Sequence, residues 1–537
     1  MPTSAVLAQL VTERLASRIW AHDTAAFADA ASPAEQQAIG NRLGWLAAPE
    51  AMQARLEEVR ACAADVHRDG LTDLYLLGMG GSSLCAEVLR DAVGTGARLT
   101  VLDTTDERAI QEATSALMPD RACFIVASKS GSTIEVTSLE RHFRAVMAPA
   151  VGEHVGRHFL AITDPDTELA AHAARHGYRH TFINPADIGG RYSALSLFGL
   201  VPAALCGIDI DALLASGRSM AGRCHPDEAV NPGLALGTFM GDCARAGRDK
   251  LTLLLSPELR PLGPWIEQLV AESTGKRGRG VLPIVGEPFG EAADYGRDRA
   301  FVAIGSAAPE GERLAEELAA AGHPVFTIEA TPRDLGAEFF RWEFATAVAG
   351  AVLGVNPFDE PDVRGAKART QAQLETRRQQ GAFRFDPPFE SGARYSRREC
   401  APAAGAAAGP GRYVAILDYL PADPGREAAI QRLRARLGAR TRHASTYGVG
   451  PRYLHSTGQF HKGGPNTGVF LLVTSGDRTS TPIPEADYSF SVLKQAQAFG
   501  DFDALAAAGR HVIHYHFEED RPADVAAELE RAALQIG

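Results

Sequence analysis

The sequence predicts an α/β protein with two doubly wound parallel-sheet domains followed by a smaller C-terminal α/β unit. From residue 71 onward, short apolar runs alternate with polar turns and helix-compatible stretches, the pattern of a parallel sheet covered by helices on both faces. The same alternation restarts near Cys224. An Ala/Gly/Pro-rich stretch at 401–411 has no bulky apolar residue to pack, and it separates a third group of strand-like runs from the first two. A chain of 537 residues has room for about three or four such units.

The expected organisation is an N-terminal helical segment over 1–45, a first domain over 46–223, a second over 224–380, a linker over 381–411 and a C-terminal unit over 412–537. Residues 1–68 read as helical, broken by polar turns such as Ala31-Ser32-Pro33. Strand-like runs follow at 71–77, 98–103, 123–127 and 158–163. In the second domain they fall at 251–255, 301–305 and 324–328, and an apolar helix is expected at 341–353. The C-terminal unit offers strands at 413–419, 469–474 and 511–517, and helices at 426–437 and 524–534. Ligands of such sheets bind at the loops that follow the strands.

Composition narrows the function. With 54 Lys+Arg against 66 Asp+Glu the net charge is −12, which disfavours a nucleic-acid partner. The longest mostly apolar run, at 345–355, is about eleven residues, too short to span a bilayer, so no membrane partner is expected. Seven cysteines, odd in number and never in a C-x-x-C pair, read as reduced thiols. The first 21 residues hold no apolar signal-peptide core, and a cytoplasmic location is expected.

Three loops place small residues and hydroxyls where a backbone could approach an anion. Gly78-Met79-Gly80-Gly81-Ser82-Ser83 lies between a strand and a helix, presenting N–H groups and a helix N-terminus. It approaches the dinucleotide fingerprint but has Ser83 where that pattern needs its third glycine. Ser128-Lys129-Ser130-Gly131-Ser132-Thr133 gathers four hydroxyls and one ammonium group, which suits a phosphomonoester and equally suits a helix cap. Gly189-Gly190-Arg191-Tyr192-Ser193 combines close backbone approach with a planar guanidinium.

Taken in order, these three loops resemble the signatures of the glucose-6-phosphate isomerase family and its sugar-isomerase (SIS) fold. Glu272-Ser273-Thr274-Gly275-Lys276 is similar to the family's E-S-x-G-K segment. Residues 356–367, from Asn356-Pro357-Phe358-Asp359 to Lys367, resemble its N-P-F-D-Q-P-G-V-x-x-x-K motif. The run from Tyr447 to Asn466, with 18–22 and 41–45, resembles the isomerase half of bacterial transaldolase/glucose-6-phosphate isomerase fusions. The transaldolase barrel of those fusions needs about 250 further residues, so no transaldolase activity is expected.

The resemblance implies an enzyme interconverting glucose 6-phosphate and fructose 6-phosphate through a cis-enediol, with no metal and no organic cofactor. Glu272 would be the base and Arg191 would face the enediol oxyanion. Ser128, Lys129, Ser130 and Thr133 would hold the phosphate, and Gly80, Gly81, Ser82 and Gly190 would line the sugar. Lys367 matches the lysine associated with ring opening. The family's ring-opening histidine is missing, because no histidine lies between Lys276 and Arg299. His461 and His455, in the Leu454–Gly464 stretch, are the substitutes, histidine titrating nearest neutral pH. A second histidine cluster, His511-Val512-Ile513-His514-Tyr515-His516, reads as edge-strand residues rather than metal ligands. The partner is a sugar phosphate, and a homodimer is implied. A non-catalytic phosphosugar-binding regulator and an isomerase that also takes mannose 6-phosphate are the alternatives.

Overall fold

A computed structural model describes residues 5–27, 32–94, 98–305, 309–392, 395–401, 411–518 and 520–536. Parts of the expected N-terminal segment (1–4 and 28–31) and of the expected linker (402–410) lie outside the described residues. The described residues form three sheets. The first contains β1 (Asp73–Gly78), β2 (Arg98–Leu102), β3 (Ala122–Ala127), β4 (Phe159–Thr163) and β5 (His180–Ile183). They run parallel in the order β2-β1-β3-β4-β5. β1, β3 and β4 are buried along their whole length, as continuous apolar runs in a covered parallel sheet must be.

The second sheet holds β6 (Lys250–Leu255), β7 (Leu282–Ile284), β8 (Arg299–Ile304) and β9 (Val325–Ile328), parallel in the order β7-β6-β8-β9. The helix Leu335–Leu353 is buried almost all round, which accounts for its apolar 345–355 run. It packs against the helices Ile210–Arg223 and Pro232–Arg245. The approach is close enough that a Cβ on Gly237 would lie 2.3 Å from the Ala345 carbonyl. No helix among the described residues is long and apolar enough to cross a membrane, and all seven cysteines are free thiols.

The third sheet contains β10 (Glu390–Ser391), β11 (Tyr395–Cys400), β12 (Tyr413–Asp418), β13 (Ala444–Val449), β14 (Gly468–Ser475) and β15 (His511–Phe517). The order is β10-β11-β15-β14-β12-β13, with β10 and β11 antiparallel to their neighbours. Two expectations are corrected here. Residues 381–411 are not only a linker: β11 pairs with β15 along six residues despite its polar sequence, Tyr-Ser-Arg-Arg-Glu-Cys. For the same reason β15 is an inner strand, not an edge strand.

His514 of β15 is fully buried. Its Nδ1 accepts from Arg398 Nε at 3.0 Å, so the ring proton sits on Nε2, which lies 2.8 Å from Thr474 Oγ1. Arg398 is itself enclosed by aromatic rings, 3.8 Å above Phe502. Burial, then Arg398 and His516, hold the His514 pKa well below its usual value. The unfolded chain binds this proton near pH 6.5 and the folded chain does not, so the stability is present above about pH 6.5 and is lost as pH falls toward the depressed folded pKa. The midpoint of urea unfolding is therefore expected to drop between pH 7 and 5, and less steeply in His514→Gln; parallel pH profiles for the two proteins would contradict this.

Candidate active site

The carboxyl ends of the first sheet's strands face the helix Leu262–Thr274 of the second unit and the turn Arg452–His455 of the third. Between them lies a cavity of about 300 Å³, lined by Gly80, Gly81, Ser82, Lys129, Ser130, Thr133, Gly190, Arg191, Glu272, Lys367 and His455. It adjoins a second cavity of about 180 Å³, which shares Thr133, Lys367 and His455 and reaches Glu135 and Gln497.

Arg191 is the centre of the site. It stands in the short turn Gly190–Tyr192 and is 5% exposed. Its Nε donates to Ser273 Oγ at 2.8 Å, and its Nη2 donates to the carbonyls of Pro357 and Asp359, each at 2.9 Å. Its Nη1 lies 3.2 Å from a carboxylate oxygen of Glu272 and 3.2 Å from one of Glu360. Lys276, one turn beyond Glu272, is bonded to the Ser273 and Asn356 carbonyls and lies 3.0 Å from Asp359, tying down the loop that meets Arg191. Burial, reinforced by the neighbouring Arg191, lowers the Lys276 pKa to about 8.

Glu272 is 8% exposed near the C-terminal end of its helix. Burial raises its pKa and Arg191 opposes the rise, leaving the carboxyl above its ordinary range. One turn earlier, Gln268 Nε2 donates to Glu272 at 3.1 Å and to the His455 carbonyl at 2.7 Å. Gln268 lines the cavity, and its Oε1 is buried with no hydrogen-bond partner among the described residues.

The Ser128–Thr133 loop precedes the helix Ile134–Val151, whose first N–H groups are unpaired within the helix. Ser128 Oγ and Thr133 Oγ1 are 3.0 Å apart, while Ser130 and Ser132 are exposed. Gly131 has φ +67°, and a Cβ there would come within 2.7 Å of Thr167. Lys129 lines the cavity, but its ammonium is bound to Asp164 and the Ala186 carbonyl. A loop of hydroxyls at a helix N-terminus can bind an anion.

His455 and His461 part company. His455 lines both cavities, its Nε2 3.0 Å from Glu135. Glu135 also accepts from Gln497 Nε2 at 2.7 Å. Burial pushes the Glu135 pKa up, but His455 and its hydrogen bond outweigh it and the net shift is downward. His461 lies in the third unit's core, with Nδ1 3.0 Å from Tyr413 Oη and its ring against Phe470. It lines neither cavity. The helix Gly458–Gly463 turns it inward, and burial depresses its pKa far below the usual value.

The site also includes residues that the sequence analysis did not single out: Arg42, Asp164, Gln268, Glu360, Glu135 and Gln497. Two carried a usable signal, since Gln268 is one turn before Glu272 and Glu135 is two residues after Thr133.

Known proteins resemble this chain over the same region. A family model described as phosphoglucose isomerase matches residues 47–281. The glucose-6-phosphate isomerase of Rubrobacter xylanophilus is 29% identical over 401 residues, 64% of this chain and 92% of that one. That of Symbiobacterium thermophilum is 30% identical over 388 residues, 62% of this chain and 86% of that one. Among solved structures, a hypothetical protein of Thermus thermophilus has a TM-score of 0.59 at 26% identity, covering 69% of this chain and 96% of its own. A glucose-6-phosphate isomerase from Chlamydia trachomatis, at 19% identity and a TM-score of 0.51, shares the fold over 68% of this chain and 78% of its own.

The first and third loops touch: a Cβ on Gly81 would fall 2.0 Å from the Gly190 carbonyl. Gly81→Ala is therefore expected to push the loops apart and destabilise the protein by roughly 1–3 kcal/mol, read from thermal unfolding. An unchanged melting temperature would contradict the contact.

Proposed function

Because the chain belongs to the phosphoglucose isomerase family, we propose that it interconverts glucose 6-phosphate and fructose 6-phosphate through a cis-enediol, with Glu272 as the base. The observation that carries this reading is a buried carboxylate, a saturated guanidinium, a hydroxyl-rich helix N-terminus and a Glu135-paired histidine on one cavity wall.

The substrate phosphate binds the Ser128–Thr133 loop through Ser128, Ser130 and Thr133 and the first N–H groups of the following helix, while Gly80, Gly81, Ser82 and Gly190 let the backbone approach the sugar. His455, oriented by Glu135, moves the proton between the ring oxygen and the C1 hydroxyl that opens the pyranose, and Lys367 assists. In the open chain the Glu272 carboxylate takes the proton from C2. Electrons move from the C2–H bond into a C1–C2 double bond, and the carbonyl oxygen takes up negative charge. Protonation of Glu272 releases the Arg191 N–H that its carboxylate held, and that donor meets the oxygen, where a fixed guanidinium in a dry site acts most strongly. A proton passes from the O2 hydroxyl to O1, the protonated Glu272 returns its proton to C1 as O2 becomes the ketone oxygen, and the ketose phosphate closes and leaves. A raised Glu272 pKa suits the step, because a base whose pKa lies nearer the working pH removes a carbon-bound proton more readily. The homodimer implied by the family resemblance belongs to the same reading and is checked by sedimentation at assay concentration.

Three outcomes test the reading. Glu272→Gln is expected to bind fructose 6-phosphate while losing on the order of 10²–10⁴-fold in kcat; near-full turnover would exclude Glu272 as the base. Ser128→Ala with Thr133→Ala is expected to raise KM far more than it lowers kcat, since the phosphate is held alike in ground and transition states. A fall in kcat at constant KM would place the phosphate elsewhere. The acid limb of the kcat profile is expected above the ordinary carboxylate range, because turnover needs ionised Glu272 and its pKa is raised. Mannose 6-phosphate assayed alongside decides whether the site also accepts the C2 epimer.

A further inference from the structure

His455 reaches the cavity from a unit of the chain far from the phosphate loop, on the four-residue turn Arg452–His455. Tyr453 packs the turn onto the third unit's core beside Tyr419, while Arg452 at its start reaches out to the first unit. Its first residue supplies the strongest link: Arg452 Nε donates to Asp103 Oδ2 at 2.5 Å, and Nη2 donates to Glu87. Asp103 directly follows β2, and Glu87 lies on the helix Leu84–Val93 that follows the Gly80–Ser82 turn. Both carboxylates therefore belong to the first unit. Two further bonds fix the turn from other sides: Tyr453 donates to Asp501 at 2.6 Å, and the His455 carbonyl accepts from Gln268. Arg452, Glu87 and Asp103 line neither cavity at the site.

We propose that Arg452 is a positioning residue, whose guanidinium, gripped by Glu87 and Asp103, holds the His455 turn against the first unit so that the ring faces the substrate. The proposal rests on the reading of His455 as the ring-opening group. A planar fork held by two carboxylates fixes both the distance and the rotation of the turn, which a single ammonium contact does not. The side chain of Arg452 is 29% exposed, and those of Glu87 and Asp103 24% and 12%, so solvent screens the pair and its contribution to global stability is modest. Its effect falls on geometry, where a displacement of about 1 Å at a reacting group can cost on the order of 10²-fold in rate.

The test compares a substrate that must be opened with one that cannot close. Erythrose 4-phosphate carries its phosphate on O4 and forms no furanose ring, so exchange of its C2 proton with deuterium oxide, followed by NMR, needs the base but not the ring-opening group. For Arg452→Gln, and for Glu87→Gln with Asp103→Asn, kcat on cyclic glucose 6-phosphate is expected to fall on the order of 10²-fold, with erythrose 4-phosphate exchange kept within about twofold. Thermal unfolding should shift little, and Arg452→Lys, keeping charge without the fork, should recover part of the loss. Equal losses on both substrates, or no loss on either, would overturn the proposal. His455→Gln separates this failure from the failure of the underlying reading: if that variant loses both substrates equally, His455 is not the ring-opening group.

Discussion

The Arg191 guanidinium holds the site together. Buried and fully engaged, it binds the side chain of Ser273, two carbonyls of the 357–359 segment, and the carboxylates of Glu272 and Glu360. A charge of this kind is costly to bury unless every donor is satisfied, and here the partners come from the second unit while the arginine comes from the first. The same bonds that offset its desolvation therefore fix how the two units meet. Lys276 continues the network behind the 356–360 loop, so the oxygens facing Arg191 are themselves held.

This solves an electrostatic problem set by the whole chain. The protein carries a net charge of −12, yet its proposed ligand is a phosphate dianion. The cavity has few uncommitted cations, because Arg191 and Lys129 are paired with carboxylates. On the proposed reading anion binding falls to hydroxyls, helix N–H groups and Lys367, which lines both cavities. On the same reading such a pocket holds the phosphate by aimed dipoles, and Arg191 meets the developing charge with the N–H that Glu272 frees on taking up its proton.

How much of this was legible in the sequence depended on whether the signal was local. Strands such as Ala-Cys-Phe-Ile-Val-Ala in β3 announce themselves, because burial on both faces demands a continuous apolar run. β11 does not, because it is held by its ladder with β15 and by the burial of Arg398 under distant aromatic rings. β7 is three residues long and contains a proline. The three glycine- and serine-rich loops could be read for the same reason as β3, since each carries its chemistry within six residues. The pairing of His455 with Glu135 spans 320 residues, and the bond from Gln268 to the His455 carbonyl spans 187. Periodicity and spacing hold no record of such contacts, so the sequence alone does not tell that His455 lines the cavity while His461 lies in the third unit's core.

In the proposed mechanism one carboxylate carries a single proton between C1 and C2. Its most direct test starts from glucose 6-phosphate deuterated at C2 and follows, by NMR in ordinary water, the label in the first-formed fructose 6-phosphate. A shared carboxylate that exchanges with solvent predicts that part of the deuterium appears at C1 and part is lost to water, with the lost share rising with temperature. Complete retention at every temperature would mean that hydrogen passes directly between the carbons as hydride, and would contradict the account.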